Sequence, residues 1–163
     1  MRKKRVLVID DEESFCTFVG AALGERDRYR VVSATEPLRG ITMARTLRPD
    51  LILIDLDRPR MDGSQVAEKL LGDTKTESIP IVFVTWLVTK EETNHRQLIV
   101  AGRIFVAKPV TMDELAQAVG RILMQPGSSN ALKVHSRSVA DPSWTARPSR
   151  SPLSARVINP IGL

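Results

Sequence analysis

The chain has 163 residues, of which 42% are hydrophobic and 26% charged, with a formal net charge of +5. That length and balance fit one soluble globular domain plus an extension, and the ordered part suffices to bury about two-thirds of its unfolded surface. No apolar run approaches the ~20 residues of a membrane span, and the single cysteine, Cys16, excludes an internal disulfide or a thiolate metal site.

The N-terminal MRKKRVLVIDDEE is basic, but its apolar stretch of about five residues is too short for the core of a signal peptide. A cytoplasmic location is the default expectation. Arg5–Asp10 (RVLVID) is short and β-branched and predicts a buried strand. Ser14–Gly24 then places Phe15, Phe18, Val19 and Leu23 on one helical face. YRVVS predicts a second strand over Tyr29–Ser33. Leu38, Ile41, Ala44 and Leu47 repeat the helical spacing. LILI, Leu51–Ile54, predicts a third strand, followed by a helix carrying Val66, Leu70 and Leu71 with Asp62 or Ser64 as its cap. Pro80–Thr85 (PIVFVT) predicts a fourth strand. Glu91–Val100 predicts a helix that is polar until Leu98, and Ile104–Ala107 a fifth strand. Met112–Met124 follows a Thr111 cap with Glu114 as the capping-box acid.

Five apolar strands alternating with five helices predict a doubly wound α/β fold, a parallel sheet covered on both faces. The expected domain spans residues 1–125. Residues 126–163 hold five prolines, eight serines, five basic residues and one acid. That composition cannot repay its ordering entropy and predicts a disordered basic tail. Lys133, Arg137, Arg147, Arg150 and Arg156 give the tail a route to nucleic acid or an acidic partner, with Trp144 as a stacking group. His95 and His135 are isolated and read as surface residues.

Sites in an open parallel sheet form beyond the carboxyl ends of the strands. There the sequence places Asp10 and Asp11 after the first strand, Asp55 after the third, Thr85 after the fourth, and Lys108–Pro109 after the fifth. Clustered carboxylates repel unless a cation joins them. A hard divalent ion with oxygen ligands does so, and Mg²⁺ suits one or two carboxylates plus phosphate and water. A carboxylate beside such an ion, a lysine and a hydroxyl can attack phosphorus and hold an acyl phosphate.

These residues resemble the receiver domain of two-component response regulators. VLVIDDE, LILIDLDRPRMDG, IPIVFVT and FVAKP carry the resemblance, which covers residues 4–124. It implies a flavodoxin-like fold with strand order 2-1-3-4-5 and phosphorylation of Asp55 by a sensor histidine kinase or phosphotransfer protein. It further implies Mg²⁺ held by Asp10, Asp11, Asp55 and the backbone carbonyl of Asp57, with Thr85 and Lys108 sensing the phosphoryl group. Phe105 stands at the family's rotating aromatic, and the Lys108–Pro109 peptide is implied to be cis. The output implied is a switch in contacts with a downstream protein, in a single-domain regulator that is no enzyme beyond catalysing its own phosphorylation and dephosphorylation. A homodimer through the helices expected over 91–100 and 112–124 is left open.

Arg58 and Trp86 depart from the family pattern, where an apolar and a small residue are usual. With Asp57 they are the candidates for modulating the lifetime of a phosphoryl group on Asp55. Arg103 and Ile104 replace the acids that winged-helix regulators tend to carry. A rival reading takes LILIDLD as the motif of haloacid-dehalogenase-type phosphatases, with Asp55 as nucleophile and Asp57 as general acid/base. It leaves Asp10 and Asp11 unexplained.

Overall fold

The computed structural model describes residues 2–57, 61–89, 91, 98–100 and 103–124. Arg58, the tail over 126–163, and both histidines lie outside the described residues. In chain order the elements are β1 (Lys4–Ile9), α1 (Glu13–Gly24), β2 (Tyr29–Ala34), α2 (Pro37–Leu47), β3 (Leu51–Ile54), α3 (Gly63–Leu71), β4 (Ile81–Thr85), β5 (Leu98–Val100), β6 (Arg103–Ala107) and α4 (Met112–Met124).

The sheet order is β2-β1-β3-β4-β6-β5. All neighbours are parallel except β5 and β6. With β6 as the fifth parallel strand, the expected order 2-1-3-4-5 holds. Alternate strand residues feed two separate cores. Val6, Val8, Leu51, Leu53, Val82 and Val84 pack with Val19, Leu23, Leu115 and Val119 on the α1 and α4 side. Leu7, Ile9, Ile52, Ile54, Ile81 and Phe83 pack with Ile41, Ala44, Val66 and Leu70 on the α2 and α3 side. A central strand buried on both faces has no polar position to spare, which is why LILI is uninterrupted.

Local chemistry sets the helix boundaries. Asp62 caps α3 by accepting the Ser64 N–H at 3.0 Å. Before α4, Thr111 N–H donates to Glu114 Oε2 at 2.8 Å and Glu114 N–H donates to Thr111 Oγ1 at 3.2 Å, the reciprocal capping box. Helix α2 stops at Arg48, which takes a left-handed conformation at φ 43° and donates its N–H to the Ala44 carbonyl, before Pro49, which cannot continue a helix.

One expectation is corrected. Residues 98–100 do not end a helix begun at Glu91; they form β5, antiparallel to β6, with Val100 paired to Arg103. Leu-Ile-Val is a β-prone run, and only Ala101 and Gly102 separate it from its partner, the spacing of a tight hairpin. The apolar triplet was read as the end of a helical face because a short apolar run does not distinguish the two states.

Candidate functional site at the carboxyl edge of the sheet

Because β1, β3, β4 and β6 run parallel, their carboxyl ends share one edge, and the register levels them: Ile9 pairs with Ile54, and Thr85 with Ala107. Asp10, Asp55 and Lys108 each follow the last residue of a strand, and Thr85 is itself the last residue of β4. Asp10, Asp55, Thr85 and Lys108 are buried, while Asp11 is exposed. The backbone holds them there: Asp10 N–H donates to Ala34 O, Asp55 N–H to Ile9 O, and Lys108 N–H to Thr85 O at 2.9 Å. The Lys108–Pro109 peptide is cis.

Among the described residues the Lys108 ammonium is the cation that meets these acids. It donates to Asp10 Oδ2 at 2.8 Å and lies 3.7 Å from Asp55 Oδ2, with the Lys108 side chain 3% and that of Asp10 1% exposed. The other Asp10 oxygen accepts the Glu12 N–H at 2.9 Å. Asp10, Asp11 and Asp55 each offer a carboxylate oxygen, and these oxygens lie within 4.8 Å of one another. Among the described residues three acids gather beside Lys108, and their all-oxygen donor set fits a hard divalent cation. The group could therefore hold a metal ion.

The loop after β3 folds back on Asp55. Asp57 N–H donates to Asp55 Oδ1 at 3.4 Å, and the Asp57 side chain is exposed. Gly63 opens α3 directly against this backbone; a Cβ there would collide with the Asp55 carbonyl oxygen and meet Ile54 Cγ2 at 3.0 Å. Any side chain at 63 displaces either the helix or the acid. In the sequence Gly63 stands only as the last residue of LILIDLDRPRMDG.

Thr85 is fully buried, and its Oγ1 accepts the Leu87 N–H at 3.2 Å. Phe105 is buried and stacks on Phe83, with ring centroids 5.2 Å apart. Trp86 is 58% exposed, on the solvent side of the turn that follows Thr85. Phe15 was read as a core position of α1; the structure places its ring at the site, with Lys108 Nζ 4.1 Å from the ring centroid. The one signal for it in the sequence is its place four residues after Asp11 on the helix that leaves the acidic pair.

The sequence matches the response regulator receiver domain family over residues 6–120. Protein PilH of Pseudomonas aeruginosa is 29% identical over 123 residues, which cover 73% of this chain and 97% of PilH. The hybrid signal transduction histidine kinase D of Dictyostelium discoideum is 32% identical over 123 residues, 74% of this chain but 8% of that protein. The chain likewise spans 34% and 30% of two other curated relatives that it matches. The chemotaxis protein CheY4 of Vibrio cholerae shares the fold, with a TM-score of 0.62 over 74% of this chain and 98% of that one, at 21% identity.

Proposed function

Because the chain belongs to the family of response regulator receiver domains, we propose that it takes a phosphoryl group on Asp55 from a sensor histidine kinase or a phosphotransfer protein. A phosphoacceptor role is general for the family, and such domains are signalling modules rather than enzymes in their own right. The observation that carries the assignment to Asp55 is its position. Of the two buried carboxylates of the acidic group it is the one at the end of the central strand, 3.7 Å from the Lys108 ammonium.

In the proposed step an Asp55 carboxylate oxygen attacks phosphorus. The P–N bond of a phosphohistidine breaks, its electron pair leaves with the imidazole nitrogen, and the new P–O bond makes an aspartyl phosphate. Acetyl phosphate reacts alike, with acetate leaving. Asp10, Asp11, Asp55 and the Asp57 carbonyl would hold Mg²⁺, which when bound neutralises charge on the phosphoryl oxygens. Lys108 donates to a phosphoryl oxygen, exchanging part of its attraction to Asp10 for a closer approach to Asp55. The Thr85 hydroxyl donates to another. Since Thr85 Oγ1 also accepts the Leu87 N–H, a turn of that hydroxyl carries the chain at 85–87 with it. Thr85 and Phe105 thus form the switch that passes the charge on Asp55 to the protein surface.

Output is contact with a downstream protein. Residues 1–125 act as the receiver and 126–163 as a basic appendage, in the cytoplasm where phosphohistidine donors reside. Asp57, Arg58 and Trp86 tune the lifetime of the phosphoryl group. The phosphatase reading gains nothing from the geometry: the exposed Asp57 side chain is a poor partner for the buried Asp55, and Asp10 and Lys108 have no part in it.

The test is labelling by acetyl phosphate with and without Mg²⁺, followed by mass spectrometry of the intact protein. One Mg²⁺-dependent phosphoryl group is expected on the wild type and none on Asp55→Ala. Equal labelling of Asp55→Ala, or repeated turnover of p-nitrophenyl phosphate, would overturn the assignment.

A further inference from the structure

The Lys108 ammonium is almost wholly withdrawn from water, and oxygen atoms are not its sole surroundings. Its Nζ lies 4.1 Å from the centroid of the Phe15 ring, while donating to Asp10 at 2.8 Å and standing 3.7 Å from Asp55. Phe15 sits in the first turn of α1, half-buried against the core on that side of the sheet. Its ring is held by Phe18, with centroids 5.9 Å apart and planes tilted by 30°. The same helix start is tied to Asp10 twice. Glu12 N–H donates to Asp10 Oδ1, and the Cys16 thiol to the Asp10 carbonyl at 3.5 Å. Ring, helix start and acid are therefore linked through one turn of helix.

We propose that Phe15 is a positioning residue for phosphoryl transfer: its ring face holds the Lys108 ammonium between Asp10 and Asp55 by a cation–π contact. The inference rests on the phosphoacceptor reading of Asp55. An aromatic face attracts an ammonium through its quadrupole, and the attraction grows where water is excluded. It differs from a carboxylate in one useful respect. A further acid would bind the lysine tightly and compete with the incoming phosphoryl oxygens for its protons. The ring attracts the charge yet leaves the directional hydrogen bonds free to move from Asp10 toward Asp55. The charge near Asp55 changes when it is phosphorylated; the pull of the ring does not. An aliphatic side chain at 15 would fill the volume without that pull.

The test separates shape from charge. Phe15 is replaced by mono-, di- and trifluorinated phenylalanine, which weaken the ring face with little change in size, and by Phe15→Leu and Phe15→Tyr. The saturating rate of acetyl-phosphate labelling with Mg²⁺ is expected to fall stepwise along the fluorine series and in Phe15→Leu, by about three- to thirty-fold in total. The half-saturating acetyl phosphate concentration should change less, and Phe15→Tyr should stay near wild type. In the unphosphorylated, Mg²⁺-free protein, the Lys108 Cε protons should show an upfield ring-current shift that Phe15→Leu abolishes. A flat rate along the fluorine series overturns the proposal. A wild type that takes no label at all overturns the phosphoacceptor reading instead; the NMR arm then decides the contact by itself, and an unchanged Lys108 resonance in Phe15→Leu overturns it.

Discussion

Strand β3 has an aspartate just outside each end, and the two ends treat the charge in opposite ways. Asp50, before the strand, is surrounded by donors. It accepts the Arg5 N–H at 2.7 Å and the Arg2 guanidinium at 2.7 Å, with Lys4 Nζ at 3.4 Å. Asp55, after the strand, joins two further acids around one lysine. Four aliphatic residues separate an acid set among cations from an acid set beside other acids. The first arrangement tethers the amino termini of β1 and β3 to each other. The second gathers carboxylate oxygens that could hold a metal ion. The candidate site is marked by its company of carboxylates, the structural acid by the donors around it.

The largest effect should come from removing Lys108 from the end with the three acids. Lys108→Met leaves Asp10 buried without its partner and three acids mutually repelling. A loss of about 3–5 kcal/mol in urea unfolding without divalent ions is expected, together with loss of labelling. Asp50→Ala should cost less, about 1–3 kcal/mol, chiefly because the half-buried Arg5 N–H loses its acceptor, and labelling should survive. If the two substitutions proved equal in stability, or if Asp50→Ala abolished labelling, the contrast between the ends would fail. Divalent ions offer a gentler probe of the same contrast. Mg²⁺ at ten times its dissociation constant should stabilise the wild type by about 1.4 kcal/mol, and Asp11→Asn should lose most of that gain. Asp50→Asn should keep it.

Acid sharpens the other end. Partial burial pushes the Asp50 carboxyl up, but the Arg5 N–H, Arg2 and Lys4 outweigh it and hold the group below the ordinary value of 3.8. A depressed carboxylate stabilises the fold above the unfolded value and loses that contribution as pH falls through the folded one. Asp50→Asn keeps an acceptor for Arg5 but removes the charge. Its deficit against the wild type should therefore be present at pH 6 and shrink below about pH 3.8. Urea midpoints at several pH values measure this, and a deficit independent of pH would mean that the charge at Asp50 contributes nothing.

The sequence made the sheet legible because both of its faces are buried. Continuous aliphatic runs such as VLVI and LILI have few alternatives to a parallel strand, and the polar residue ending each run marks the shared edge. Asp10, Asp55, Thr85 and Lys108 were read in this way, and the structure brings them together. Two kinds of feature escaped. Leu98–Val100 was assigned by local periodicity, whereas its pairing with β6 is a tertiary event that three residues cannot announce. The tasks of Gly63 and Phe15 depend on distances across the chain, from Gly63 to the Asp55 backbone and from Phe15 to a lysine 93 positions later. One-dimensional spacing records neither.

The smallest effect is expected at the rim. Trp86 follows the buried Thr85, but its indole is 58% exposed, so its removal should leave stability within about 0.5 kcal/mol. Its size, where the family usually carries a small residue, is the ground for proposing that it shields Asp55. A shield hinders the phosphodonor on the way in and water on the way to the aspartyl phosphate, so both rates should rise together in Trp86→Ala. The rise should be less than about tenfold, because an exposed ring can swing aside at little energetic cost. Labelling by acetyl phosphate and decay after its removal measure the two rates. Unchanged rates would place the indole off the path to Asp55, and a change in one alone would mean that it touches one reactant rather than screening both. Unchanged rates would leave control of the phosphoryl group to the other residues at the sheet edge, the lysine and the three acids that set this end of β3 apart from the other.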